Sequence, residues 1–437
     1  MKQDKTIPLV PRKLLLPFVL ITSLFSLWGF ANAVTDPMVQ AFKKVLELSN
    51  SEAAWVQMAF YGGYFCMALP AALFVRRYSY KSGILIGLAL YAVGALLFYP
   101  ATISQQFWFF CLGLYILTFG LAFLETTANP YILAMGREET AIQRLNLAQV
   151  FNPIGNILGL LVAQYFVLKE LQSDDISNFE ALSEVKKVMI RTSDLMVIRD
   201  PYVILGIVVL GVFFMILLNK MPQAKNENVS ESLAQTLIKL KRNKKYVFGV
   251  LSQILYVGAQ IMCWTYIYQY SEAINITADV AANYQFIAFV LFFIGRGLGT
   301  YLLRYLSSEK LLAYFALVAI ICTSVTIFFS GSVGLLALVG ISFCMSVMFP
   351  TIYGIALEGL KEEEAKIGAA GLVMAIVGGA LMPKLQGIII DLGGVKVNDI
   401  KILGVTEVNF SFILPWFCFL GILTYAVMIK KLKKENE

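Results

Sequence analysis

The 437-residue sequence contains no histidine. That removes the one side chain whose ordinary charge change falls near neutral pH, and with it the commonest metal ligand and general base. The six cysteines, Cys66, Cys111, Cys263, Cys322, Cys344 and Cys418, stand singly in apolar stretches without a CxxC pair. They read as packing residues, and no metal site is expected. Charge is also scarce, 14% of residues against about 25% in ordinary soluble domains. No nucleophile-base pair or nucleotide fingerprint appears, so neither catalysis nor a cofactor is expected. The glycine-rich AIVGGALMP lacks a following GK[ST] and lies inside an apolar stretch; it reads as close helix packing, or as a hinge with Pro383.

What is present is hydrophobic: 59% of residues, with a mean hydropathy of +0.74. A soluble core cannot absorb that excess, whereas lipid can, because helices satisfy their own backbone polar groups. The class is therefore all-α integral membrane. A span needs roughly 20 apolar residues, and such stretches run near 14–42, 52–75, 83–101, 107–135, 144–168, 201–219, 246–271, 281–303, 310–330, 334–358, 367–391 and 408–428, giving twelve helices. The first run has no small-residue cleavage site and continues into ANAVTDPMVQAF, which predicts a helix and not a secretory signal. Placing both termini in the cytoplasm gathers most of the 35 Lys and Arg on that side, as the positive-inside rule requires. The net charge of +7 is then a topology signal and gives no reason to expect nucleic acid.

The polar segment 220–245 falls at the midpoint and divides the chain into two six-helix halves, 1–219 and 246–437. VRRYSYKSG after the second helix is echoed by LRYLSSEK after the eighth, Arg77-Tyr78 answering Arg304-Tyr305. Loop bases beside headgroups would produce the same echo without duplication. Parallel halves would place a site between them near the bilayer midplane.

Setting aside those at span ends, four charges fall inside the spans: Asp36, Glu125, Arg296 and Lys384. Each costs at least ~2.5 kcal/mol in the hydrocarbon, which makes each a functional hypothesis. In WGFANAVTDP, Trp28, Asn32 and Asp36 share a helix face at i, i+4, i+8. Glu125 lies in LETTANPY with Asn129 one turn on, and the fifth span presents Gln149, Asn152 and Asn156. The seventh repeats the pattern with Gln260, Trp264 and Tyr268. Such stripes can be interhelical glue or a site for a neutral polyol: amides match vicinal hydroxyls and rings cover the apolar face of a sugar. The two carboxyls suit reversible protonation, since burial disfavours their charged form and water restores it; a sodium ion in an oxygen cage would use them as well. Arg296 either pairs with a membrane carboxylate or donates to backbone carbonyls. Lys384 is expected to snorkel to the outer surface.

These residues resemble the L-fucose:proton symporter family of the major facilitator superfamily, which includes related glucose/galactose porters. WGFAN..TDP, AFYGGYF, LETTANPY, RLNLAQVFN, YVGAQ..CW, FFIGRGLGT, FPTIYG and GGALMP occur in the family's order over essentially the whole chain. The resemblance implies a twelve-helix fold that alternates access. It also implies proton coupling by Asp36 and Glu125, with Gln149 and Asn152 lining a sugar cavity. Two departures bear on the sugar's identity: the family reads ANNLND where this chain has Ala33 and Thr35 in ANAVTD, and it lacks a lysine at the position of Lys384. The expected protein is a monomeric, proton-driven symporter of a monosaccharide in a bacterial inner membrane, with L-fucose first and another hexose second. The alternative is a proton-coupled exporter of amphipathic compounds. A sensor would need an output domain, for which the cytoplasmic loops look too short.

Overall fold

The computed structural model describes residues 8–46, 50–172, 183–221, 232–393 and 400–436; the side chain of Asp36 lies outside the described residues. Twelve helices among them are long and apolar enough to cross a membrane. We number them α1 (Leu15–Val45), α2 (Asn50–Arg77), α3 (Tyr80–Ser104), α4 (Phe107–Ala134), α5 (Glu138–Val167) and α6 (Glu184–Leu218). The rest are α7 (Lys244–Thr265), α8 (Ala278–Leu302), α9 (Ser308–Phe328), α10 (Ser332–Leu357), α11 (Glu362–Ile390) and α12 (Glu407–Lys433). The only strands among the described residues are β1 (Lys401–Ile402) and β2 (Val405–Thr406), an antiparallel hairpin pairing Lys401 with Thr406 and Ile402 with Val405. Thr406 then caps α12 by accepting from the Asn409 backbone N–H.

The expected helices are all present, with one large difference in extent. The apolar pattern places the start of the sixth helix near 201, but α6 begins at Glu184. Its added turns read as a charged outer loop by hydropathy. They are helical because nothing breaks the helix between the Ser183 N-cap and Pro201, and their polar groups find partners. Arg191 Nε donates to the Val45 carbonyl at 3.2 Å, and Gln105 Nε2 to Thr192 Oγ1 at 2.8 Å. Hydropathy registers the part of a helix that meets lipid and is blind to the part that meets water.

The chain forms two compact units by its internal contacts. One comprises Leu16–Ala128 and Ile154–Asn228; the other comprises Met1–Leu15, Asn129–Pro153 and Val229–Glu437. Within the first, α3 crosses α4 at Gly94 and Gly120, where a Cβ would collide with the backbone of Leu117 and of Tyr91 respectively. Small residues are what let two helices meet this closely in a membrane. Within the second, α7 packs against α10, α11 and α12, and α9 against α12. Five of the helices are interrupted: α3 at Leu97, α5 at Val150, α10 between Met345 and Met348, α11 by a 3-10 turn at Ala375–Val377, and α12 at Phe412. Breaks of this kind free backbone polar groups, and lipid tolerates them only where protein or a cavity receives those groups.

Candidate functional site

In the first unit, a buried row of polar groups is assembled on α1, α2 and α4. Helix α1 is pressed against the second part of α5, where Gly155 faces the Ser26 carbonyl so closely that no Cβ would fit. The Tyr91 hydroxyl donates to the Leu27 carbonyl at 2.8 Å and ties α1 to α3. Trp28 is thereby fixed inside, its ring 5.0 Å from that of Phe25. Its indole and the buried Glu125 carboxyl both lie close to the hydroxyl of Tyr64, which is itself buried. Asn32, one turn beyond Trp28, is exposed. The helix face expected to carry Trp28, Asn32 and Asp36 therefore passes from buried to exposed at Asn32.

The second unit holds a denser network around Arg296, which is 2% exposed. Arg296 Nη1 donates to the Gln149 carbonyl at 3.0 Å and approaches Gln149 Oε1 at 3.5 Å, while Nε donates to the Ser346 carbonyl at 2.5 Å. Gln149 Nε2 donates in turn to Asn129 Oδ1 at 2.9 Å. The guanidinium lies over the Phe292 ring, 4.5 Å from its centroid, and the buried Tyr256 is close enough to interact electrostatically. Both carbonyls are available for a covalent reason. The residue four positions after Gln149 is Pro153, and the one four positions after Ser346 is Pro350. Proline has no N–H to close the helical hydrogen bond, so each carbonyl is left over within its own helix. One guanidinium, with its fork of donors, collects both. The backbone-carbonyl role, one of the two expected for Arg296, is the one seen here.

Toward its N-terminal end, α5 makes two further polar contacts in this unit. Gln143 Nε2 donates to the Thr300 carbonyl at 3.1 Å, and Asn146 Nδ2 to Thr351 Oγ1 at 3.3 Å. Arg144, the first residue of the expected fifth span, is fully buried. It donates to the Ile132, Leu133 and Arg137 carbonyls and to Thr140 Oγ1. The last carbonyls of α4 have no intrahelical partner and carry the negative end of the helix dipole, which is what a buried cation needs.

The remaining candidates divide. Trp264 is half-buried in an aromatic corner, 4.8 Å from Phe289 and 5.1 Å from Phe292 by ring centroids, with its indole N–H on Ser342 Oγ at 3.1 Å. Phe292 thus serves both Trp264 and Arg296. Gln260, one turn before Trp264, and Asn152, on α5 beyond Gln149, are half-buried. Lys384 stands among exposed Leu381, Leu385 and Ile388, a stripe suited to lipid; a stem lying along such a stripe is the setting for snorkelling. Sequence reasoning did not single out Tyr64, Tyr256, Ser342 or Ser346 for the site. For Ser346 a signal existed, the proline four residues on; for the three others no local pattern marks them. Among the described residues no cluster of His, Cys, Asp or Glu could hold a metal ion.

Residues 18–383 match the Major Facilitator Superfamily. The chain is 54% identical over 429 residues to the L-fucose-proton symporter of Haemophilus influenzae, covering 97% of this chain and 98% of that one. It is 36% identical to the L-fucose-proton symporter of Escherichia coli, covering 95% and 93%, and 29% identical to a glucose/galactose transporter of Brucella abortus, covering 94% and 93%. The crystal structure of the Escherichia coli fucose:proton symporter in the outward conformation superposes with a TM-score of 0.85 at 35% identity, covering 96% of this chain and 99% of that one. A proton:xylose symporter at 13% identity shares the fold, with a TM-score of 0.68. The chain is a transporter of the Major Facilitator Superfamily and belongs to the family of the L-fucose-proton symporters.

Proposed function

We propose that this protein is a secondary transporter that couples uptake of a neutral monosaccharide to protons. L-Fucose is the first substrate and glucose, galactose or another hexose the second. The observation that carries the reading is 54% identity along 97% of the chain to a protein named an L-fucose-proton symporter. It is supported by a buried glutamate beside a phenol and an indole in one unit and an amide-guanidinium network in the other. An exporter of amphipathic compounds would call for a cavity dominated by rings, and the amides count against it.

In this reading Asp36 and Glu125 carry the coupling proton. A buried carboxyl that is charged is costly to move through a closed, dry state, and the same group protonated is not. Loading the proton therefore permits the transition that carries the sugar. Asn32, Gln149, Asn152 and Gln260 exchange hydrogen bonds with sugar hydroxyls, and Trp28 and Trp264 cover its apolar face. Arg296 acts by positioning Gln149. The two halves 1–219 and 246–437, joined by 220–245, rock about the site. Both termini lie in the cytoplasm of a bacterial inner membrane, and the monomer is the working unit because each chain carries both clusters.

The test is counterflow in proteoliposomes with a panel of labelled hexoses and deoxyhexoses, repeated with and without sodium. Counterflow of L-fucose that proceeds equally in both, with alkalinisation outside on sugar addition, is the expected result. No counterflow with any sugar of the panel defeats the proposal; a strict sodium requirement defeats the coupling ion while leaving the sugar.

A further inference from the structure

The helix Leu233–Arg242, in the segment joining the two halves, is not used by the transport reading. It is built to stand by itself. Ser232 Oγ accepts from the Gln235 backbone N–H, and the Gln235 side chain accepts from the Ser232 backbone N–H, a capping box. It ends one residue before α7, and that residue, Asn243, is extended and accepts from the Tyr246 backbone N–H. The chain therefore turns between the two helices, and the short helix packs at the base of α7 and α11. Leu240 reaches the flank of Gly368, and Lys239 pairs with Glu364 at 3.6 Å.

At about 100° per residue, its side chains fall into three sectors. Thr236 and Leu240 point into the protein and are buried. In the adjacent sector Leu237 and Ile238 remain 43% and 52% exposed although they are apolar. In the third, Gln235, Lys239 and Arg242 are exposed. A helix that only capped the bundle would need two sectors, one buried and one polar. The exposed apolar sector requires a third medium. Lys241 lies on the helix between Leu237 and Ile238, and Lys241, Arg242 and Lys244 are all exposed. No acidic residue occurs between Ser232 and Lys245. Apolar side chains that enter the acyl boundary beside a cluster of bases at headgroup depth are the signature of a helix lying in an anionic membrane surface.

We propose that Leu233–Arg242 is an interfacial helix that seats Leu237 and Ile238 in the cytoplasmic leaflet and binds anionic phospholipid headgroups through Lys241, Arg242 and Lys244. It gives the second unit a foot on the membrane, independent of which sugar is carried. The test is nitroxide accessibility in the full chain, with the exposed Cys66 replaced by serine and single cysteines placed at 235, 237 and 238. Retained sugar counterflow shows that each variant is folded. Vesicles are phosphatidylcholine with and without phosphatidylglycerol. Labels at 237 and 238 are expected to collide several-fold more with oxygen than with a water-soluble nickel chelate, and the label at 235 the reverse. Phosphatidylglycerol should deepen the first two, and K241Q/R242Q should abolish that deepening. Labels at 237 and 238 that favour the nickel chelate, or that are shielded from both reagents, overturn the proposal. A depth unaffected by phosphatidylglycerol overturns the anionic-lipid assignment.

Discussion

The two polar clusters bury polarity in different ways. Around Arg296 the named donors reach acceptors: the amide of Gln149 finds Asn129, and the guanidinium finds the two carbonyls freed by Pro153 and Pro350. Around Glu125 the polar contacts run among side chains alone, the carboxyl and the Trp28 indole both lying beside the buried Tyr64 hydroxyl. On the proposed function, these are the groups that a proton on the carboxyl, or a hydroxyl of the cargo, would rearrange. On that reading, the cluster around Arg296 positions Gln149 and the cluster around Glu125 handles the proton.

Substitutions can break that contrast, and the largest effect is expected at the carboxyl. Glu125→Gln removes the proposed proton carrier, so uphill accumulation of sugar should fall to background while exchange of internal for external sugar persists. Full accumulation in proteoliposomes under an acid-outside gradient would refute the assignment. Next comes Arg296→Lys. One ammonium on a flexible stem cannot hold both carbonyls in the geometry of a guanidinium, and each hydrogen bond lost from a charged group is worth about 1.5–3 kcal/mol. The thermal midpoint in detergent should drop by several degrees. An unchanged midpoint would mean that the network is not scaffold.

Pro153→Ala sharpens the same point without touching Arg296. The restored N–H at 153 can close the helical bond to the Gln149 carbonyl and compete with Arg296. Stability should change little, while the affinity for sugar falls because Gln149 is no longer held. Tyr64→Phe should lower stability by no more than about 1.5 kcal/mol, the net worth of one hydrogen bond, yet shift the pH dependence of transport. A pH profile identical to wild type would place Tyr64 outside the coupling machinery. The smallest effect is expected at the anchor of Trp264. Ser342→Ala removes one neutral hydrogen bond, about 1 kcal/mol, and the double variant with Trp264→Phe should cost less than the two single losses added together.

Much of this architecture was legible from residue order. Length and hydropathy give the twelve helices, because a bilayer imposes one length on all of them. The carboxyls and amides stood out because lipid makes every polar residue conspicuous. What was not legible has particular causes. The outer turns of α6 carry charges that hydropathy assigns to a loop. Arg144 sits at the edge of the expected fifth span, and its acceptors, the end of α4 and Thr140, are gathered only by the fold. Tyr64 is one aromatic in AFYGGYF, and nothing in its spacing shows that it faces a glutamate on another helix. The role of Arg296 was half legible: the prolines that free its carbonyls are visible, but that they serve one guanidinium is a fact of tertiary structure.

The most direct test of the central claim is external pH recorded as L-fucose is added to weakly buffered proteoliposomes without an imposed gradient, for wild type and for Glu125→Gln. Transient alkalinisation with wild type and none with Glu125→Gln, while both still exchange labelled L-fucose, is the expected result. Equal alkalinisation by the two, or sugar movement by wild type with no accompanying proton, would contradict the assignment of the coupling proton to the carboxyl beside Tyr64.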